Sequence, residues 1–283
     1  MKTWNRVAIV GVGLIGGSIG IDLLRRGLAR HVVGIGRRRE TLDAAQDVGA
    51  VSSTTLDLAE GVRDAELVVV CTPVGRIVDD VRAAAAAARL GTLVTDAGST
   101  KATIVSALEG TLPAGVKFVG SHPLAGGEKN GPRAAVADLF VDRVVVVTPT
   151  PSSRENDTRA VSELWSSLGA RVMTMSPEEH DRIVAATSHL PHLLASALAA
   201  CTDQSDLSLA ASGWLDTTRV ASGDSALWQQ IFKANRENVL AALTKFEHTL
   251  KKLREAIEAD DDRTLETLLG DAKRLRDRMQ SGS

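Results

Sequence analysis

Residues 6–16 read RVAIVGVGLIG, and the way this stretch divides decides the fold. Its apolar run predicts a strand at 6–10, and the glycine-rich turn GVGLIG at 11–16 opens a helix. A short apolar run without polar alternation suits a strand covered on both faces. In this strand–turn–helix setting the GxGxxG spacing has a mechanical reading. Gly11 permits the tight turn, Gly13 lets backbone approach a pyrophosphate, and Gly16 lets the helix pack closely on the strand. The helix is expected from Ile15 to about Arg26, and with Leu14 and Ile15 at its mouth its N-terminal N–H groups face the anion. An ordinary glycine-rich turn is the bland alternative, and the flanking strand and helix argue against it.

Outward from this turn, the first half alternates β-rich runs with helical stretches. Further strands are predicted at 31–35, 65–71, 92–96, 117–120 and 143–148, separated by helices such as the alanine-rich 77–88. A helix at 154–168 and a strand at 171–175 finish this half. Such alternation implies βαβ units, an α/β fold with a Rossmann-type, doubly wound, mainly parallel sheet.

The character changes at Ser176-Pro177-Glu178-Glu179. Serine as N-cap, proline at the first helical position and glutamate at the third mark a helix start. No strand is predicted beyond it. Leu227, Ile231, Val239, Leu243, Phe246, Leu250, Leu253 and Ile257 recur by threes and fours, reading as a long amphipathic helix with a nearly heptad seam. Asp260-Asp261-Asp262 breaks it, and Leu265, Leu268, Leu269, Leu275 and Met279 mark a last helix. The expected division is a dinucleotide-binding domain at 1–175 and an all-helical domain at 176–283. So long a seam on so small a domain predicts a homodimer through the helices, with burial inside the chain as the alternative.

Composition narrows the class. With 44% hydrophobic and 24% charged residues the chain can bury a real core. A formal net charge of −2 gives no overall positive field toward nucleic acid or an anionic membrane. The two cysteines, Cys71 and Cys201, stand in no metal or redox spacing, which suits a reducing compartment. No apolar run approaches the ~20 residues of a membrane span, and the chain enters its first strand too early for a cleaved signal peptide. A cytoplasmic protein is expected. The sequence has no tyrosine, so any mechanism with tyrosine as acid or base is excluded, and the short-chain dehydrogenases with it.

The end of the second strand chooses the cofactor. NAD-binding folds place an acid there, ~20 residues past the glycines, for the ribose 2′-hydroxyl. Here the stretch is Val33-Gly34-Ile35-Gly36-Arg37-Arg38. An arginine fork suits a 2′-phosphate, so the expected cofactor is NADP, with Arg37 the leading contact and Arg38 next.

Ligands of doubly wound sheets sit beyond the carboxyl ends of the strands. Those ends carry Thr72-Pro73, then DAGSTK at 96–101 with Ser99 and Lys101, then GSHPLAGGEKNG at 120–131 with His122. With Gly11–Ser18, SHLPH at 188–192, DTTR at 216–219, Trp228 and Asn235–Asn238, these segments run in order over nearly the whole chain. The chain resembles the TyrA family, the prephenate and arogenate dehydrogenases. That resemblance implies oxidative decarboxylation of a cyclohexadienyl substrate in tyrosine biosynthesis, hydride passing from ring C4 to the nicotinamide as carbon dioxide leaves C1.

It also implies roles. His122 matches the catalytic histidine, and a neutral histidine suits proton abstraction near pH 7. Ser99 matches a serine that hydrogen-bonds near the histidine and the hydroxyl. Arg219 matches an arginine that binds substrate carboxylate, for which a planar fork is suited. Lys101, His192 and Trp228 fall to the substrate pocket, and Thr72 and Pro73 to the cofactor. Glu128 is a candidate partner for the ammonium that distinguishes arogenate from prephenate, with Lys129 beside it. His189 and His192 share a helix face, but no third ligand accompanies them, so no metal is expected. Pro191 between them predicts a kink.

Two rivals stand against this reading. A β-hydroxyacid dehydrogenase would need a lysine on the first long helix of the second domain, and residues 178–200 contain none. A non-catalytic NADP-binding sensor would have no use for Ser99, His122 and Arg219 in register.

Overall fold

The first strand, β1 (Trp4–Val10), alternates between two cores. Val7 and Ile9 pack in one apolar cluster, Ala8 and Val10 in the other. β4 (Leu67–Val70) repeats the pattern, with Leu67 and Val69 facing one way and Val68 and Val70 the other. Successive strand side chains point to opposite faces, so unbroken aliphatic strands here are strands covered on both sides. The computed structural model describes residues 3–127 and 130–281. It adds β2 (Ala29–Ile35), β3 (Ser53–Thr55), β5 (Leu93–Asp96) and β6 (Lys117–Phe118). Together they form a parallel sheet of order β3-β2-β1-β4-β5-β6.

Helices cover both faces. α1 (Leu14–Arg25) packs through Ile19 and Leu23 on one side, and α2 (Arg39–Asp47) and α3 (Leu58–Val62) follow β2 and β3. On the other side α4 (Val74–Ala87) and α5 (Ala102–Leu108) contribute Ile77, Val81, Ile104 and Leu108. The sequence reading had neither β3 nor α3, each too short and too polar to show a period. α3 is set by a local cap, the Asp57 carboxylate accepting from the N–H groups of Ala59 and Glu60.

The strand expected at 117–120 divides in two. After β6 the chain crosses to β7 (Gly120–Pro123), which pairs antiparallel with β8 (Val144–Thr148), itself parallel to β9 (Arg171–Thr174). Buried side chains of β5 and β7 hold the crossing. Thr95 Oγ1 donates to the Val119 carbonyl at 2.7 Å, and Ser121 Oγ donates to the Asp96 carbonyl at 2.6 Å. The fully buried Trp165 of α6 (Glu155–Ser167) donates Nε1 to Ser121 Oγ at 2.9 Å.

The helical stretch begins as the sequence predicts. Ser176 Oγ accepts from Glu179 N at 3.1 Å, with Pro177 in the first turn of α7 (Pro177–Val184). A π-helical turn, Ala185–His189, joins α7 to α8 (Leu190–Cys201). Its cause is Pro191, which offers no N–H to the Thr187 carbonyl and crowds it, so the turn widens. Residues 177–201 are long and apolar enough to cross a membrane, against the sequence expectation. Within it His180 and Asp181 are buried and hydrogen-bonded, and 28% of its most apolar window is buried inside the protein.

α9 (Ser212–Thr218) and α10 (Ser225–Ala234) follow, then α11 (Arg236–Glu258) and α12 (Asp262–Ser281). The long helix expected over 227–257 is therefore broken. Asn235 leaves helical geometry at φ −115°, ψ 31° and turns its amide inward, donating Nδ2 to the Asp181 carbonyl at 2.7 Å. Leu227 and Ile231 pack with the sheet cluster from α10, while Val239 onward belongs to α11. Contacts divide the chain into residues 1–236 and 237–283, so 176–236 falls with the sheet. In the second unit Leu240, Leu250, Ile257, Leu269 and Leu275 are exposed.

The Asn235 amide bridges α10 and α7 from a buried position. Removing a buried partner costs about 1–3 kcal/mol. Asn235→Ala is expected to lower unfolding free energy by that amount in urea melts, and an unchanged midpoint would remove this bridge from the account.

Candidate active site

The order of strand addition reverses between β1 and β4, which stay parallel, and a crevice opens beyond their carboxyl ends, the place for a dinucleotide in such folds. It measures about 370 Å³ and is lined by Gly11, Gly13, Arg37, Arg38, Thr72, Pro73 and Arg76, among others. Gly11 has φ +90°, and a Cβ there would stand 2.9 Å from the Cys71 carbonyl oxygen. At Gly16 a Cβ would stand 2.4 Å from the Gly11 carbonyl oxygen. A Cβ on Gly13 would meet nothing within 4 Å and would fill the crevice instead. That open cradle before the N-terminus of α1, with a buried Thr72 Oγ1 that has no partner among the described residues on its wall, fits a pyrophosphate. Arg37 and Arg38 are exposed and in no ion pair among the described residues, whereas Arg76, absent from the sequence reading, bonds Asp80 at 3.0 Å. Leu14 and Ile15 open α1 but do not line the crevice.

A second cleft, about 590 Å³, lies beyond β5 and β7. Ser99, His122, Asn130, Thr187, Ser188, His189, Asp224 and Trp228 are among its lining residues. The two clefts adjoin along one loop, for Asn130 lines this one and Gly131 the other.

Behind the cleft is a buried polar hub. Asp96 and Lys101, both fully buried, form an ion pair. Asp96 also accepts from Gly98 N at 2.9 Å and Ser121 N at 3.2 Å. The Asp181 carboxylate accepts from Lys101 N at 2.7 Å and Ala102 N at 2.9 Å. Asp181 Oδ1 also lies 2.7 Å from His180 Nδ1, and His180 Nε2 lies 2.8 Å from His122 Nδ1. Only Nε2 of His122 is left for the cleft. Asn235 Nδ2 lies 3.2 Å from His189 Nδ1, which as acceptor leaves the His189 hydrogen on Nε2.

Burial pushes the His122 imidazole well below its ordinary value, and His180, Lys101 and His189 push the same way. His189 is lowered to about 4, again chiefly by burial, with Asp181 opposing. His192 is lowered by burial and Lys101 likewise, against the pull of Asp96. At neutral pH His122 is therefore uncharged, with Nε2 the ring nitrogen that faces away from His180.

The expected residues fall in different places. Ser99, His122 and Trp228 meet in the cleft. His192 stands behind Trp228, stacked on it at 3.6 Å between ring centroids, and holds a backbone hydrogen bond with Val220. Arg219 is exposed on the short turn Arg219–Ser222, just before the cleft residues Gly223 and Asp224, and does not itself line the cleft. Lys101 does not reach the cleft: its ammonium is spent on Asp96 inside the protein. Glu128 lies outside the described residues. Sequence reasoning missed His180, Asp181 and the inward role of Asn235. The signal available was position, since 181, 185, 189 and 192 share one buried helix face, where a polar residue needs a partner.

A dinucleotide crevice opening onto a cleft with a neutral, oriented histidine defines a nicotinamide-dependent dehydrogenase. Family models agree: the nucleotide-binding domain of prephenate dehydrogenase matches residues 19–174, and its dimerization domain matches 176–271. A cyclohexadienyl dehydrogenase of Zymomonas mobilis is 34% identical over 92% of this chain and 91% of its own. The solved prephenate dehydrogenase of Aquifex aeolicus, in complex with hydroxyphenyl propionate and NAD+, superposes with a TM-score of 0.90 at 32% identity, covering 97% of this chain and 98% of that one. The Synechocystis arogenate dehydrogenase gives 0.81 at 29% identity, over 97% and 99%. The chain belongs to the prephenate dehydrogenase family.

The lowered imidazoles carry a stability consequence. An unfolded histidine takes its proton near pH 6.5, while folded His122 and His189 refuse it until far lower. Below pH 6.5 the unfolded state thus binds more protons, and stability falls as pH falls, by about 1.4 kcal/mol per unit for each imidazole. Urea unfolding from pH 7 to 5 is expected to show this slope, which His189→Gln reduces; a flat profile contradicts the neutral pair.

Proposed function

We propose that the chain oxidatively decarboxylates prephenate, arogenate or both, with NADP as oxidant, in tyrosine biosynthesis. The observation that carries this reading is His122, neutral, its Nε2 turned to a cleft that adjoins the dinucleotide crevice. The substrate hydroxyl gives its proton to that Nε2, with Ser99 hydrogen-bonding beside it. The C4–H bond breaks as a hydride, the C1–carboxylate bond breaks to release carbon dioxide, that electron pair completes the aromatic ring, and the ring oxygen takes its proton back from His122. The bound nicotinamide supplies the hydride acceptor. General-base help of this kind is typically worth ~10²–10⁴-fold.

Arg219 takes substrate carboxylate, reaching from its turn toward the cleft. Trp228, held by the His192 stack, forms a wall, and Glu128 is the candidate for meeting the arogenate ammonium. Gly11, Gly13, Gly16 and the start of α1 hold the pyrophosphate, Thr72 and Pro73 flank it, and Arg37 then Arg38 take the 2′-phosphate. The domains are 1–175 for the dinucleotide and 176–283 for substrate and association. The apolar residues exposed on α11 and α12 support a homodimer, and the setting is cytoplasmic.

Turnover is read from the absorbance of reduced nicotinamide in four pairings, prephenate or arogenate with NADP or NAD. The expected result is turnover with NADP and at least one substrate; cofactor binding with no turnover in any pairing would overturn the assignment. Arg37→Ala is expected to raise KM for NADP about 10-fold or more, the worth of one charge-assisted bond, and to leave NAD unaffected. Equal or better wild-type turnover with NAD would sink the NADP preference.

A further inference from the structure

We infer that His180, anchored by Asp181, is a positioning residue that fixes the tautomer of His122 and shares the charge His122 acquires. The inference rests on the reading of His122 as base, and it follows from counting hydrogens. Both Asp181 oxygens already accept from backbone N–H groups, Oδ1 from Lys101 and Oδ2 from Ala102. The atom facing Oδ1 at 2.7 Å must therefore donate, so His180 Nδ1 carries the hydrogen. The reverse tautomer would set two lone pairs against each other in a buried site.

With its one ring hydrogen on Nδ1, His180 leaves Nε2 as an acceptor, and in the proposed arrangement its partner 2.8 Å away, His122 Nδ1, donates to it. His122 in turn has no hydrogen on Nε2, the nitrogen left for the cleft. The order Asp181, His180, His122 thus transmits one choice, made by two backbone amides at the start of α5, to the atom that takes the substrate proton. When His122 gains that proton, its Nδ1–H still points at an imidazole polarised by a carboxylate, so the new charge is spread along the row. Lys101 and His189 also face this group; Lys101 opposes charge on His122 and is itself paired with Asp96, while His189 is neutral near pH 7. His180 itself is fully buried and does not line the cleft, so its effect passes through His122.

The direct test is ¹⁵N NMR of histidine-labelled wild-type protein without substrate, in which the two ring nitrogens report their hydrogens separately. The expected spectrum has His122 hydrogen-bearing at Nδ1 and bare at Nε2; hydrogen on Nε2 would overturn the inference. His180→Phe is expected to shift His122 toward the Nε2–H form and to lower kcat about 100-fold, the lower end of general-base help, with KM for cofactor unchanged. His180→Gln, whose amide oxygen can accept from Nδ1–H, is expected to restore the tautomer and part of kcat. A folded His180→Phe with wild-type kcat would also overturn it. The spectrum needs neither variant nor turnover. Failure of the base reading would show separately, as full activity in His122→Asn.

Discussion

An ion pair with neither side chain in contact with water, Asp96 with Lys101, sets the terms for everything around it. Burying such a pair costs several kcal/mol per ion, recovered only when geometry is good and remaining hydrogen-bonding capacity is met. That demand organises the neighbourhood. The Asp96 carboxylate draws in the backbone of Gly98 and Ser121, tying the end of β5 to the start of β7. The backbone that carries Lys101 is met from the other side by Asp181 of α7. Three elements distant in sequence are thereby locked within one polar cluster, and breaking either charge would leave the other buried and unpaired.

The cleft inherits its geometry from that cluster. His122 follows Ser121 on β7, so the bond that places Ser121 also places the base. Ser99 sits in the short segment between Asp96 and Lys101. The same burial that makes the ion pair costly makes protonated imidazole costly, which is why His122 and His189 are neutral where a dehydrogenase needs an acceptor. Rigid elements rather than free loops carry the base, while the cofactor crevice next door is shaped by glycines and by arginines on the surface.

Much of this was legible in the sequence, for local reasons. The turn at Gly11–Gly16 is dictated by what a Cβ would strike, and the start of α7 by a serine, a proline and backbone N–H groups within one turn. Ser99 could be named because it follows the end of β5, and His122 because it follows the strand expected at 117–120, although it sits on β7 itself. The parts that stayed hidden depend on partners far along the chain. Nothing local distinguishes Lys101 as a buried counter-ion from a substrate ligand, since Asp96 and Lys101 could equally face the cleft. The break at Asn235 is invisible to apolar spacing, which continues across it; the amide turns in because a carbonyl on α7 and His189 await it. His180 and Asp181 read as a polar first turn until their burial is known.

The chemistry of the cleft turns on His122 Nε2 being the atom that meets the reacting hydroxyl. The most direct measurement is a crystal structure of the protein with NADP and hydroxyphenyl propionate. The prediction is a ring hydroxyl about 2.6–3.2 Å from His122 Nε2, with Ser99 alongside and the carboxylate directed toward Arg219. A ring bound with its hydroxyl away from His122, or outside the cleft altogether, would contradict it.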